Sequence, residues 1–153
     1  MRLAEALIVR SDIQKRVEQV KSRLNLNAKI QEGEQPAEQP AELLRELQEL
    51  LYQLGSLIRR INRTNAQTAF DDQRTLADAL TDRDILSLHR NALSELIQSA
   101  SVRQDRFTRS EIKFLSTVDI AALQRQVDQL AKDYRQLDTR VQELNWLTDV
   151  LEE

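Results

Sequence analysis

The chain of 153 residues contains no cysteine, only two glycines and only two prolines. The absence of cysteine excludes disulfides, zinc–thiolate sites and thiol catalysis, and it is compatible with a reducing cytosol. Because glycine and proline are scarce, the composition favours long helices over sheet-rich folds. Aromatic residues make up 4% of the chain, so the core must consist mainly of leucine, isoleucine, valine and alanine.

Long apolar runs and a strong charge of one sign are also missing. The apolar run within residues 1–10 is far shorter than a membrane span, and no small-residue cleavage site follows it. We therefore expect a helix rather than a signal peptide at this end, a cytoplasmic location and no membrane partner. The net charge is −3, with acids and bases interspersed, which argues against a general nucleic-acid coat protein.

The sequence predicts an all-α fold in a single domain, residues 1–153. The expected architecture is an elongated antiparallel four-helix bundle, or helical hairpins with heptad seams, with helices over about 2–29, 41–68, 76–100 and 118–151. Gly33 and two prolines end the first helix, and Pro40 suits the first position of the second. The residues 75–78 (Thr-Leu-Ala-Asp) and 116–119 (Ser-Thr-Val-Asp) each match a capping box.

Heptad spacing is strongest in the second and fourth helices. The second helix carries one apolar stripe at alternating steps of four and three, formed by Leu43, Leu47, Leu50, Leu54, Leu57 and Ile61. A second stripe, Leu44, Leu51 and Ile58, repeats every seven residues, which suggests two neighbours in a bundle or an oligomer. Gly55 costs this helix roughly 1 kcal/mol relative to alanine, which indicates either close helix approach or tolerance at a solvent-exposed face.

The stretch from Ser101 to Thr117 departs from the helical pattern. Polar and apolar residues alternate over 111–114, which predicts a short β-hairpin near 103–115. Arginine side chains match phosphate oxygens, so the basic residues suggest an anion or partner contact formed by Arg63, Arg103, Arg106, Arg109 and Lys113. The alternative is salt bridges with the acidic linker of residues 31–42, which an up-down bundle would bring to the same end.

Single residues add little chemistry to this pattern. His89, the only histidine, lies on the expected seam of the third helix and suits a packed core position. Trp146 suits a core or protomer contact, with a partner-anchoring aromatic as the alternative. No nucleophile–base pair, metal-ligand set or phosphate loop is visible, so we predict no catalytic residue, no metal and no cofactor.

Four segments carry a resemblance: Leu-Ala-Glu-Ala-Leu (3–7), Ile-Asn-Arg-Thr-Asn (61–65), the run over 101–113, and Glu-Leu-Asn-Trp (143–146). They resemble a family of small bacterial proteins described as septicolysin-like, and the most distinctive part is the block from Arg-Gln-Asp-Arg to Ser-Glu-Ile-Lys. The resemblance covers the whole chain and implies an all-helical bacterial protein of unknown function. The family name suggests a cytolysin, but the sequence shows no membrane-inserting apolar hairpin and no cysteine.

The sequence favours a self-associating structural or interaction protein, and we expect a homo-oligomer. The double stripe of the second helix and the long seam of the fourth motivate this hypothesis. Two alternatives stay open. One is an RNA- or nucleotide-binding accessory module that uses the basic connector, and the other is a small-ligand binder at a subunit interface.

Overall fold

A computed structural model of the chain describes residues 1–101 and 112–152. Within these ranges the fold is all-α, as predicted, with four helices and no sheet. Helix α1 spans Leu3–Leu26, α2 spans Pro40–Gln67, α3 spans Leu76–Ala100 and α4 spans Ile120–Leu147. The predicted β-hairpin near 103–115 lies largely outside the described residues, and the described part of it, 112–115, contains no strand.

Two of the predicted helix starts are confirmed. Pro40 is the first residue of α2, where its missing N–H removes no helical hydrogen bond. At α3 the predicted capping box forms, because Asp78 N donates to Thr75 Oγ1 at 3.2 Å and Thr75 N donates to Asp78 Oδ2 at 2.9 Å. These local signals therefore set where α2 and α3 begin.

The second predicted capping box is wrong. Ser116 does not cap α4, and its hydroxyl instead donates to the carbonyl of Val118 at 2.8 Å within a turn. Asp119 is the residue that caps α4, because its Oδ1 accepts a hydrogen bond from Ala122 N at 3.0 Å. With Asp119 as the N-cap, the helix begins at Ile120, two residues later than predicted.

The ends of α1 and α4 also differ from the prediction. Helix α1 stops before Gly33, at Leu26, and Asn27 closes it by donating from Nδ2 to the carbonyl of Arg23 at 2.8 Å. Helix α4 stops at Leu147 rather than near Leu151. Beyond Leu147 the chain is extended and runs beside the N-terminus. Leu3 N donates to Thr148 O at 2.8 Å, and Val150 N donates to Met1 O at 2.9 Å.

The helices form two antiparallel hairpins, α1–α2 and α3–α4, that meet at one end. We call this meeting point the junction. It joins the start of α1, the end of α2, the start of α3 and the end of α4. Its largest fully buried side chains are Leu3, Ile61, Thr64, Leu76 and Val141. Leu76 N also donates to Thr68 O at 2.8 Å, which ties α3 to the end of α2.

Away from the junction the hairpins differ in burial. The α1–α2 seam stays buried along its length through Ile13, Val17, Val20, Leu43, Leu50 and Leu57. In α3 no residue after Ala79 is buried, and in α4 burial begins only at Val141. The prediction that His89 packs in the core is wrong, because its side chain is exposed where α3 has a single helical neighbour.

Candidate interaction surface

The second apolar stripe of α2 lies on a face that the chain leaves largely uncovered. Leu44 is 55% exposed and Leu51 is 48% exposed, whereas Ile58, nearer the junction, is half-buried. The residue after each of these forms a parallel row, since residues seven apart lie on one side of a helix. We call both rows together the outer α2 face, formed by Leu44, Arg45, Leu51, Tyr52, Ile58 and Arg59.

The exposure of this face follows from the way α2 is packed. Helix α1 covers the other stripe, in which Leu43, Leu50 and Leu57 are buried. Between the described residues, hydrogen bonds join α3 and the C-terminal segment to α2 at the junction, for example through Thr64 and Thr68. The first half of the second stripe is therefore left about half exposed.

The charged residues within the outer α2 face are both arginines, Arg45 and Arg59, and Glu42 and Glu49 flank the face one helical turn from Arg45. Arg45, Arg59 and Arg63 take part in no ion pair with any residue that the structure describes. Arg60 differs, because it donates from Nε to Leu151 O at 3.1 Å and lies 3.4 Å from Glu152. The free arginines make this face attractive to an acidic surface.

Gly55 lies between the two rows of the outer α2 face. A Cβ atom at this position would meet only the guanidinium of Arg59, at 3.5 Å, and no other helix of the described chain lies within 4 Å of it. Close approach of another helix within this chain therefore does not account for the glycine. Gly55 therefore leaves the helix surface without a side chain between the two rows of this exposed face.

The structure places only two of the five predicted contact residues. Arg63 is exposed near the end of α2 at the junction, and Lys113 is exposed beyond the far end of α3. The two are separated by the length of α3, whose 25 residues span about 37 Å, so they do not share a site. Arg103, Arg106 and Arg109 lie outside the described residues, and the anion-site hypothesis stays a prediction.

The acidic linker, residues 31–42, makes its described ion pair within its own hairpin. Glu38 pairs with Arg23 of α1, and this hydrogen bond holds the pKa of Glu38 below its usual range. Glu32, Glu34 and Glu42 are exposed. The predicted docking of this linker onto the basic connector depends on residues 102–111, which the structure does not describe.

A cleft of about 580 Å³ lies between α3, α4 and the turn before α3. Arg74 lines it, but Asp82 and Asp71 already bind this guanidinium at 2.9 and 2.8 Å and raise its pKa. His89 and Asp133 line the same cleft without a hydrogen bond between them. The cleft therefore offers no free arginine for an anion and no assembled acid–base pair.

The Arg74 cluster was not anticipated from the sequence, because its members come from a turn and from α3. Asp71 Oδ1 accepts hydrogen bonds from Gln73 N at 3.0 Å and Arg74 N at 2.7 Å, which lower the pKa of Asp71. Arg74 also stacks over Phe70, with 4.8 Å between its guanidinium carbon and the ring centroid. The sequence Asp-x-x-Arg within a turn is the signal that could have indicated this cluster.

Trp146 does not enter the core. It is exposed near the end of α4 beside the exposed Leu147, whereas the neighbouring Asn145 is buried. The predicted core position is therefore wrong, and a partner contact stays a prediction. Over residues 1–101 and 112–152, no helix combines the length and hydropathy of a membrane span, and no group of acidic or histidine side chains is arranged to hold a metal ion.

Comparison with known proteins places the chain in a family. Residues 10–150 match DUF6847, a family of unknown function. The chain belongs to this family. It is also 48% identical to a functionally unknown conserved protein from Corynebacterium diphtheriae, whose crystal structure superposes with a TM-score of 0.92 over 99% of both chains. No curated protein matches the sequence. The two proteins share this fold, and the comparisons assign no activity to either of them.

Proposed function

We propose that this DUF6847 protein is a self-associating structural or interaction protein that forms a homo-oligomer through the outer α2 face. The observation that carries the proposal is the exposed stripe of Leu44 and Leu51 beside a seam that α1 already covers. Scattered exposed leucines are common on soluble proteins, but apolar residues repeated every seven positions on one helix face are typical of helix–helix contacts.

Burial of this stripe supplies a driving force for association. Covering an exposed leucine side chain contributes about 25 cal/mol per Å² of apolar surface removed from water. Two copies that each bury Leu44, Leu51 and Tyr52 gain this contribution twice. Gly55 supports the same proposal, because a helix without a side chain at this point lets a second helix approach closely.

Light scattering coupled to size exclusion tests the proposal across a micromolar concentration range. We expect the wild-type chain to have at least twice the monomer mass, and Leu51→Glu to shift it to the monomer, since a carboxylate replaces a buried leucine in the contact. Leu26→Glu is the matched control, because Leu26 is an exposed leucine at the end of α1, outside the outer α2 face. A wild-type chain that stays monomeric at every concentration overturns the proposal.

Two other functional hypotheses stay predictions. RNA or nucleotide binding depends on Arg103, Arg106 and Arg109, and small-ligand binding depends on a subunit interface that has to be established first. We also propose a cytoplasmic location, with which the absence of cysteine is compatible. The septicolysin-like relationship is proposed on the four sequence segments alone, and we propose no cytolytic activity from it.

A further inference from the structure

Helix α3 carries a second exposed apolar face, turned away from α4. Ile85 is 57% exposed and Leu88 is 64% exposed, and Leu96 continues the apolar surface towards the end of the helix. At 100° per residue these side chains lie on one side of α3, apart from the half-buried Leu86 and Leu93. We call the outer α3 face the surface formed by Asp84, Ile85, Leu88, Glu95 and Leu96.

The charges on the outer α3 face are negative. Asp84 and Glu95 fall four residues before and seven residues after Leu88, on the same side of the helix. Neither forms an ion pair with a residue in the described ranges. The arginines of α3 face elsewhere, because Arg83 binds Asp138 of α4 at 2.7 Å and Arg90 stacks on Tyr134 of α4 at 5.8 Å.

The outer α2 and outer α3 faces complement each other. Each has a central apolar stripe, and the charged residues within the face are Arg45 and Arg59 on α2 but Asp84 and Glu95 on α3. Each also begins near the junction and runs outwards, from Ile58 to Leu44 on α2 and from Ile85 to Leu96 on α3. Both faces are exposed in the single chain, so the chain does not pair them itself.

We propose that two copies of the chain pair so that the outer α2 face of each packs on the outer α3 face of the other. This inference rests on the proposed self-association and names its partner surface. A two-fold axis makes the contact twice, because residue i contacts residue j and residue j contacts residue i. Each hairpin then gains the helical neighbours that it lacks beyond the junction, and the free arginines meet the free carboxylates.

Pairing of one outer α2 face with another is the competing arrangement, and charge disfavours it. It would bring Arg45 and Arg59 of one copy towards the same residues of the second copy. Like charges across an interface are unfavourable, and at the Arg59 end no carboxylate of α2 lies nearby, because the last one, Glu49, is about three helical turns before Arg59. Pairing of α2 with α3 avoids this repulsion.

Charge reversal tests the arrangement through complementation. The first variant carries Arg45→Glu with Arg59→Glu, and the second carries Asp84→Arg with Glu95→Arg. Each alone is expected to weaken dimerisation by at least about tenfold, since like charges then face each other. An equimolar mixture is expected to recover the dimer, because both contacts of the mixed dimer are again complementary.

Arg125→Glu with Arg135→Glu is the matched control, because both arginines are exposed on α4 and lie outside both faces. It is expected to leave the dissociation constant unchanged within twofold. Sedimentation equilibrium gives the constants, and circular dichroism checks the helical content of each variant.

The outcomes separate this inference from the proposed function. A monomeric wild-type chain overturns both. A wild-type dimer that Leu51→Glu dissociates, but that the Asp84→Arg, Glu95→Arg variant leaves intact, overturns the α2–α3 pairing and keeps self-association. Two weakened variants that fail to form a mixed dimer although both are helical also overturn the pairing. Recovery of the dimer in the mixture, together with weaker wild-type association at high salt, supports it.

Discussion

The two hairpins are built from helices of similar length and similar heptad spacing, yet they bury their seams differently. In α1–α2 the buried residues continue from the junction as far as Val20 and Leu43. In α3–α4 the seam beyond Ala79 and before Val141 is only half-buried. The comparison shows that heptad spacing decides which side of a helix faces its partner, whereas the depth of burial depends on how many neighbours and how much side-chain volume surround that side.

Polar contacts replace part of the missing burial in α3–α4. Arg83 binds Asp138, and Arg90 stacks on Tyr134, in both cases across the two helices. Contacts that are partly open to solvent contribute on the order of 1 kcal/mol or less each. We therefore expect the outer part of α3–α4 to be the less stable region of the molecule, and the part that gains most from a second copy.

Truncation of one leucine in each region is expected to give the largest difference. Leu76 is fully buried at the junction, and Leu76→Ala is expected to lower the free energy of unfolding by about 3 kcal/mol. Leu93 is half-buried in the outer part of α3, and Leu93→Ala is expected to cost about half as much. Urea unfolding followed by circular dichroism measures both, and equal losses would contradict the comparison.

The buried threonine at the junction is expected to give the next largest effect. Thr64 is 1% exposed, and its Oγ1 accepts a hydrogen bond from Leu151 N at 3.0 Å. Thr64→Val leaves this N–H unpaired and is expected to cost about 2 kcal/mol. Thr139→Val on α4 is the control, because Thr139 is exposed and donates only to the carbonyl of Arg135. A loss of unfolding free energy no larger than that of the control would show that the hydrogen bond from Leu151 N to Thr64 does not stabilise the packing of the C-terminal segment.

The two glycines of the α1–α2 hairpin are expected to respond in opposite directions. Gly55→Ala is expected to raise the free energy of unfolding by up to about 1 kcal/mol, since only the flexible Arg59 side chain lies nearby. Gly33 has a φ of +87°, and Gly33→Ala is expected to lower stability by about 1 kcal/mol. Thermal unfolding at a concentration too low for self-association measures both. Destabilisation by Gly55→Ala under this condition would reveal a close contact within the chain.

Acidification is expected to give the smallest effect. Arg23 lowers the pKa of Glu38 in the α1–α2 hairpin, and the hydrogen bond from Thr75 N lowers the pKa of Asp78 at the start of α3. A lowered pKa in the folded state stabilises the protein above the ordinary carboxyl pKa near 4 and loses that contribution as the pH falls through the lowered value. Unfolding in urea between pH 6 and about pH 3 should therefore show a decline that Glu38→Gln and Asp78→Asn each reduce. An unchanged pH profile in both variants would contradict this assignment.

Local signals in the sequence predicted the helices better than their ends. The start of α3 at Leu76 follows from the Thr75–Asp78 capping box, which acts over three residues and needs no tertiary partner. The end of α4 was missed because Thr148 and Val150 pair with the first three residues of the chain, and no local pattern reports a contact at that separation. Ser116 was assigned as the cap because serine and aspartate are about equally favoured as N-caps, so the local pattern could not choose between Ser116 and Asp119.

The candidate surface was only half predictable. The spacing of Leu44, Leu51 and Ile58 revealed a second stripe on α2, but the spacing could not tell whether a helix of the same chain covers it. The outer α3 face was missed, although Ile85 and Leu88 lie three residues apart, because the prediction for the third helix followed the seam that contains His89. Both rows have helical spacing, and only the position of α4 selects between them.

The sequence by itself determined that this protein is built from four long helices and where their apolar sides lie, because helix propensity, capping and heptad spacing act over a few residues. Only the tertiary structure decided that the helices pair into two hairpins joined at one end, since that depends on contacts between Leu3, Ile61, Leu76 and Val141, which are far apart in the chain. The same packing decides which apolar stripe is covered and which remains exposed on α2 and α3.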